Sequence, residues 1–402
     1  MTLTRRSLIA TTAATGALAA TARFATPPAY GASPAILKPT PAEQFYDYGT
    51  NAEMRWDSVD PRKYLTDQAR LFVRNHTVTP TIDKATWRLK VFGDGLATPL
   101  AEANALSLSF DDLAALPNVT HESVHECTGN GRSFFASQQG QTVSGTSWKL
   151  GAVGSVVWTG VRLRDVLKHV GLAPNALSIQ ATGLDQEYST GGVNYGRVRR
   201  PFPVSKALDD AILAWGVNGR PLLPDHGYPL RLVLPGWVGI ASIKWLGSLE
   251  VATTELTSPW NTKWYRLSGG SYPADSPPLT VNPVRSAWEL PFGATLARGR
   301  QTLSGRSWGG AARIRHVEVS LDGGATWKTA QLKDADRGHD TAAVRGHGWS
   351  QWSIKANFKK AGPTQLLARA TDRAGRTQPL TTPLNDNGYF FDAVVRHPVT
   401  VA

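Results

Sequence analysis

The chain has a single cysteine, Cys127, in 402 residues, so no intramolecular disulfide can form. Exported chains usually either pair their cysteines or lack them, which leaves this thiol either buried as a small apolar group or reactive. No C-x-x-C-H run is present, so covalent haem attachment is not expected. There is no Lys/Arg-rich block and no nucleic-acid motif, so the net charge of +12 does not point to nucleic acid. Internal repeats and low-complexity linkers are also missing. The one apolar N-terminal run is too short and too rich in small residues to span a bilayer comfortably. What is there is a globular composition, 41% hydrophobic and 18% charged, with length enough for two domains.

Thr4-Arg5-Arg6-Ser7-Leu8-Ile9 precedes an Ala/Thr-rich run to about Ala25 and resembles a twin-arginine export signal. Residues 1–35 are therefore expected to be a leader, cut near Ala32, and the product exported to the periplasm or beyond with no membrane span after processing. The leader holds Arg5, Arg6 and Arg23 and no acid, which leaves about +9 on the processed chain. Scattered positive charge suits small anionic substrates or an acidic partner protein.

Residues 36–60 read as a polar approach dotted with aromatics. From about 64 to 265 short strand-like runs alternate with short helical patterns, an α+β mixture. Trp87–Gly93 reads as a strand entering a turn, Val161–Val170 as a helix stopped by Gly171, and Leu230–Gly236 as a strand. After about 275, helical periodicity fades. Ile314–Leu321 alternates, Asp322-Gly323-Gly324 turns, and Trp327 begins the return, the pattern of a β-sandwich. The Pro-rich stretch Pro273–Pro283 marks the expected boundary, giving domains at 36–270 and 275–402.

Four clusters carry candidate chemistry. Phe72-Val73-Arg74-Asn75-His76 offers a cation and several directional hydrogen bonds, as an anion with polar ring edges would need. His125-Glu126-Cys127-Thr128-Gly129-Asn130-Gly131-Arg132 sets the cysteine in a glycine loop where Arg132 favours thiolate. Phe134 stands where G-x-G-x-x-G needs glycine, and no further Cys or His completes a zinc or copper set. Asp225-His226-Gly227-Tyr228-Pro229-Leu230-Arg231, followed by Ser242-Ile243-Lys244, could clamp a phosphate. Trp260-Asn261-Thr262-Lys263-Trp264-Tyr265 closes the first domain. Taken alone, the first could be a solvated loop, the third ordinary loop charge and the fourth an aromatic hinge.

Together, and in this order, they resemble the sulfite oxidase family of molybdenum enzymes from about Leu71 to the C-terminus. The resemblance implies a mixed α/β molybdopterin-binding domain followed by an immunoglobulin-like β-sandwich dimerisation domain, and hence a homodimer. It implies a molybdenum–molybdopterin cofactor with Cys127 giving its thiolate to the metal. Phe72, Arg74, Asn75, His76, Asp185, His226, Arg231, Ser242, Ile243 and Lys244 match the pterin contacts. Arg74 and Arg132 match the cations of the oxyanion pocket, Trp148 a pocket wall and Tyr265 the active-site tyrosine. The implied reaction is oxygen-atom transfer, sulfite to sulfate, with electrons leaving to a separate acceptor of cytochrome c type or to oxygen.

Three departures touch the pocket. Ser144 stands where a substrate-side lysine is often found, Asn387 replaces a third pocket arginine, and the added run Val198-Arg199-Arg200-Pro201 could return positive charge. They keep open a reductase of the same family acting on methionine sulfoxide or a similar S-oxide. A non-catalytic cell-surface binding protein is the reading from another class.

Overall fold

The computed structural model describes residues 35–333 and 347–402; the expected leader lies outside the described residues save for Ala35. The N-terminal approach is more than a tether. Phe45–Asp47, Asn51–Met54 and Val73–Arg74 form a small antiparallel sheet. Its Phe45, Ala52 and Met54 are buried.

Two sheets build the first domain. One runs Arg199–Pro203, Ser178–Gly183, Leu246–Ala252, Leu89–Phe92, Leu106–Leu108, with only the Leu246–Ala252/Leu89–Phe92 pair parallel. The other pairs Asn118–Glu126 with Val153–Arg162, then Ile212–Val217, all antiparallel. Among the described residues helices are few and short, and the longest, Leu163–Val170, has eight residues. It starts two residues later than its periodicity suggests, because Val161 is held in the ladder opposite both Asn118 and Leu213. Gly171 follows it, as expected. Among the described residues no helix is long and apolar enough to cross a membrane.

The C-terminal part is a sandwich. One sheet runs Arg285–Trp288, Gly299–Trp308, Ser350–Phe358, Gln331–Leu332; the other runs Ala294–Leu296, His397–Val401, Gly362–Asp372, Ile314–Ser320, Lys328–Thr329. Trp288 and Trp352 meet edge to face between them, ring centroids 4.7 Å apart. The expected hairpin at Asp322–Gly324 is present, with the return strand opening at Lys328, one residue after Trp327.

The two parts share a core. Phe45, Met54, Trp56, Val124 and Phe135 pack with Trp308, Trp349 and Phe391. The Pro-rich boundary is stitched down as well: Leu279 N–H donates to the Tyr265 carbonyl and Val238 N–H to that of Thr280. Burying tryptophan faces on both sides of a seam stabilises it far more than a linker would.

Candidate active site

Cys127 follows the strand Asn118–Glu126 and begins a tight loop. The loop is held from beneath by its neighbour. Glu126, fully enclosed, accepts from Asn130 Nδ2 at 2.9 Å and from Trp308 Nε1 at 3.0 Å, and pairs with Arg285 Nε at 3.2 Å. Asn130 Oδ1 in turn accepts the Ala152 amide, whose carbonyl accepts the amide of Cys127. The glycine at 129 answers a packing need and not a nucleotide: a Cβ there would lie 2.8 Å from Arg132 Nη2 and 3.1 Å from Trp148.

Two cavities meet at this cysteine. The inner one has about 680 Å³ of space counted to its mouth, and all eleven residues expected to touch the pterin line it. These are Phe72, Arg74, Asn75, His76, Cys127, Asp185, His226, Arg231, Ser242, Ile243 and Lys244. The outer one has about 920 Å³ on the same count and is lined by all five expected catalytic residues, Arg74, Cys127, Arg132, Trp148 and Tyr265. Arg74, Asn75, His76, Cys127 and Tyr265 belong to both.

The inner wall is a relay of polar groups short of partners on the cavity side. Lys244 Nζ donates to the Asp225 carbonyl at 2.8 Å and to Asn75 Oδ1. Arg231 spends Nη1 on the His226 carbonyl (3.1 Å) and Nη2 on the Ser242 carbonyl (3.0 Å). Arg74 Nη1, Arg231 Nε, Thr128 Oγ1 and Asp185 Oδ1 are buried with no protein partner. Buried polar atoms left so are costly unless a bound group satisfies them. Desolvation, reinforced by Arg231, pulls the Lys244 ammonium far below its usual range. Desolvation also keeps His76, His125 and His226 neutral, with nearby cations adding to it. Asp185 is pushed up to about 6, chiefly by burial. Such a wall favours an anionic ligand with polar edges, because each negative charge restores what burial costs these cations.

Sequence reasoning missed His125 as a wall residue. Its ring stacks on Phe72, centroids 5.5 Å apart, and its Nε2 lies 3.3 Å from Arg231 Nη2. Asp225, Ile240 and Trp245 line the same cavity. Asp225 sits in the D-H-G-Y-P run already singled out, and Ile240 and Trp245 flank Ser242-Ile243-Lys244, so adjacency was the available signal.

In the outer cavity Arg132 is fixed: Nε donates to the Asn387 carbonyl and Nη1 to that of Thr146, both at 2.9 Å. Its guanidinium lies over the Tyr389 ring, 5.6 Å from the centroid. Tyr389 was not anticipated. It stacks on Tyr265 with centroids 5.0 Å apart and planes 11° from parallel. Ser144 and Asn387 both line this cavity, as the departures from the family pattern predicted. Arg199 and Arg200 do not. They lie in the strand Arg199–Pro203, where Arg200 is buried and donates to the carbonyls of Trp260 and Leu279. That added run therefore supports the fold beneath Tyr265 and returns no charge to the pocket; only Val198 reaches the inner cavity.

Burial raises the Cys127 thiol pKa, while Arg74 and then Arg132 oppose that rise. Among the described residues no cluster of three or more His, Cys, Asp or Glu could hold a metal on its own. A metal here would take one protein sulfur and the rest of its ligands from elsewhere, as a dithiolene pterin supplies.

Comparison with known proteins agrees with this geometry. Residues 76–260 match the family described as oxidoreductase molybdopterin binding domain, and residues 286–399 the Mo-co oxidoreductase dimerisation domain. The chain is 35% identical to the mitochondrial sulfite oxidase of Homo sapiens over 79% of its length and 58% of that protein's. With the sulfite oxidase of Gallus gallus it shares 33% over 79% of this chain and 68% of that protein. Nitrate reductase [NAD(P)H] of Hordeum vulgare is 29% identical over 86% of this chain and 40% of its own length. The chain thus spans somewhat over half the length of the mammalian relatives. Among solved structures, the sulfane dehydrogenase SoxCD from Paracoccus pantotrophus superposes with a TM-score of 0.70 at 25% identity, covering 86% of this chain and 83% of that one.

Proposed function

Because the chain belongs to the sulfite oxidase family of molybdopterin-dependent oxidoreductases, we propose that it oxidises a small sulfur oxyanion, with sulfite as the reference substrate. One observation carries the reading. A cavity with buried polar atoms left unsatisfied on Arg74, Arg231, Thr128 and Asp185 meets a second cavity, lined by Arg74 and Arg132, at the chain's only thiol. When bound, the molybdenum cofactor supplies two-electron oxygen-atom transfer.

The protein's own part is holding and polarising. Arg74, Asn75, His76, His226, Arg231, Ser242 and Lys244, which line the inner cavity, would hold the pterin and its phosphate, and Phe72 and Ile243 would pack against it. Cys127 would give its thiolate to the metal, whose positive charge would oppose the effect of burial on the thiol. Asp185, its carboxyl raised to about 6 by burial, would accept a hydrogen bond from the pterin. Arg74 and Arg132 bind the substrate oxygens with charge-assisted hydrogen bonds. Tyr265 keeps its phenol proton, since burial raises its pKa, and donates it as a hydrogen bond toward the substrate. Trp148 walls the pocket from bulk water. Electrons leave one at a time to a separate acceptor of cytochrome c type or to oxygen. Positive charge spread over the chain favours an acidic partner. Two further parts of the reading are a homodimer formed through the sandwich, supported by the match over 286–399, and export of the folded protein by the twin-arginine route.

The test is elemental analysis of protein from an export-competent, cofactor-making host, followed by sulfite-dependent reduction of ferricyanide. About one molybdenum per chain and sulfite turnover are expected. Cys127→Ser is expected to lose at least a hundredfold in turnover, and wild-type turnover from it would refute the ligand assignment.

A further inference from the structure

The outer cavity is larger than sulfite alone would need. Sulfite has four heavy atoms and displaces roughly two waters' worth of space, about 60 Å³. The cavity leaves about 300 Å³ in which the centre of a water-sized body can sit, so a molecule larger than sulfite fits. Its charge is sparse for that volume. Among the described residues Arg74 and Arg132 are the only Lys or Arg side chains in its lining. Two of the Arg132 nitrogens are already spent on the carbonyls of Asn387 and Thr146. A dianion would find few free charge-assisted donors, whereas a monoanion needs fewer. Five rings share the remaining wall with polar side chains: Trp148, Tyr188, Trp264, Tyr265 and Tyr389. Tyr188 and Trp264 meet edge to face, 5.9 Å between centroids, and Tyr195 backs Trp264 at 4.7 Å, so the outer rings are braced and do not need substrate to order them. Braced aromatic faces around an anion site bind a flat or apolar tail with little loss of conformational freedom.

Resting on the oxygen-transfer reading above, we propose that this site takes organic sulfinates, R–SO₂⁻, and converts them to sulfonates, with the sulfinate head at Arg74 and Arg132 and the tail R against Tyr188 and Trp264. A sulfinate keeps the features that reading requires, a sulfur lone pair and an anionic head, and replaces one oxygen of sulfite by carbon. The balance is R–SO₂⁻ + H₂O → R–SO₃⁻ + 2 H⁺ + 2 e⁻. One S–O bond forms, sulfur loses two electrons, and these pass to the one-electron acceptor in two steps. Water supplies the oxygen and both protons. The C–S bond is untouched.

The experiment uses molybdenum-loaded full-length protein with ferricyanide as acceptor and compares sulfite, methanesulfinate and benzenesulfinate. Benzenesulfinate is expected to exceed sulfite in kcat/KM by tenfold or more, with methanesulfinate between, and the sulfonate made in H₂¹⁸O to carry one heavy oxygen. Tyr188→Ala should lower the benzenesulfinate-to-sulfite ratio at least tenfold. Ser144→Lys, at an exposed position on the rim, should shift the ratio the same way by adding charge. Calorimetric titration gives a readout free of turnover: benzenesulfonate should bind at least tenfold tighter than sulfate. Turnover of sulfite with none of either sulfinate, or equal binding of the two product anions, overturns the proposal and leaves the sulfite reading standing. Loaded protein that turns over none of the three overturns the oxidase reading, and the sulfinate proposal with it.

Discussion

Replacing Asp225 by alanine would cut the support under the inner cavity wall. The carboxylate is fully buried and accepts the amides of Leu37 at 2.9 Å and Lys38 at 2.7 Å, and the Thr79 hydroxyl at 2.5 Å. Thr79 also receives Asn75 Nδ2 at 2.9 Å, and Asn75 Oδ1 receives Lys244. One side chain thus ties the first described residues of the chain to the lysine expected to meet the phosphate. Hydrogen bonds to a charged acceptor contribute about 1.5–3 kcal/mol each, but three sharing one carboxylate are not additive. Removing one member of a buried charged network costs about 3–5 kcal/mol, which is the expected loss here. Lys38 sharpens the effect. Burial already pulls its ammonium to about 7, Asp225 is the largest influence opposing that, and without it the buried cation is worse off. Urea unfolding of cofactor-free protein should show the loss at unchanged slope. Gel filtration of loaded protein should show pterin released from the alanine variant and kept by wild type. Asp225→Asn keeps one acceptor oxygen and should fall between them. Stability within 1 kcal/mol of wild type, together with full pterin retention, would refute the argument.

Glu53 predicts a pH dependence. Burial raises its carboxyl to about 7, although the Lys149 and Gly151 amides donate to it and lower it in part. The folded state therefore binds a proton that the unfolded chain has released between about pH 4.5 and 7, so this group's contribution to stability falls as pH rises through that window. The fall is on the order of 3 kcal/mol. Glu53→Gln should flatten the wild-type curve there in urea unfolding at stepped pH; an unchanged slope would show that Glu53 titrates normally. Arg285→Met would leave Glu126 buried beside only Asn130 and Trp308 and should cost about 3–5 kcal/mol by the same assay. A loss under 1 kcal/mol would mean that the pair is not a net tie across the seam.

Much of the site was legible because its residues come in short contiguous runs whose order survives. Every residue assigned to pterin or catalysis in the sequence lines one of the two cavities. What could not be read were the contacts made between distant segments. Tyr389 lies 124 residues after Tyr265 yet stacks on it, and nothing local to either position announces the pair. The added Arg199-Arg200 run looked like pocket charge because a sequence gives residue type without direction; pairing in register with Thr182 and Ala181 turns it into the sheet. The approach at 36–60 read as polar because its apolar residues alternate over strands of only three and four residues, too short for a clear period. Val161 was claimed by both a helical pattern and a ladder, and two strand neighbours outweigh the start of one helical turn.

The placement of two buried carboxylates explains why the sandwich and the N-terminal sheet cannot be treated as attachments to a self-sufficient pterin domain. Glu53, from the small N-terminal sheet, accepts the amides of Lys149 and Gly151 and so fixes the turn that carries Trp148. Glu126, one residue before the thiol, is held by Arg285 and Trp308 of the sandwich and by Asn130 of the loop itself. Neither carboxylate lines either cavity. Each is costly to bury, and each is satisfied by donors from a segment remote in sequence, so each stays favourable only while both segments are docked. Polar groups of this kind make position conditional on assembly. The thiol and the ring that wall the outer pocket are held in place only when the N-terminal sheet, the pterin domain and the sandwich have come together. An apolar seam alone would tolerate sliding by a residue or by an ångström, because burial is non-directional. Directed hydrogen bonds to two fixed carboxylates do not, and a site that must hold a ligand sulfur beside two guanidinium groups depends on that difference.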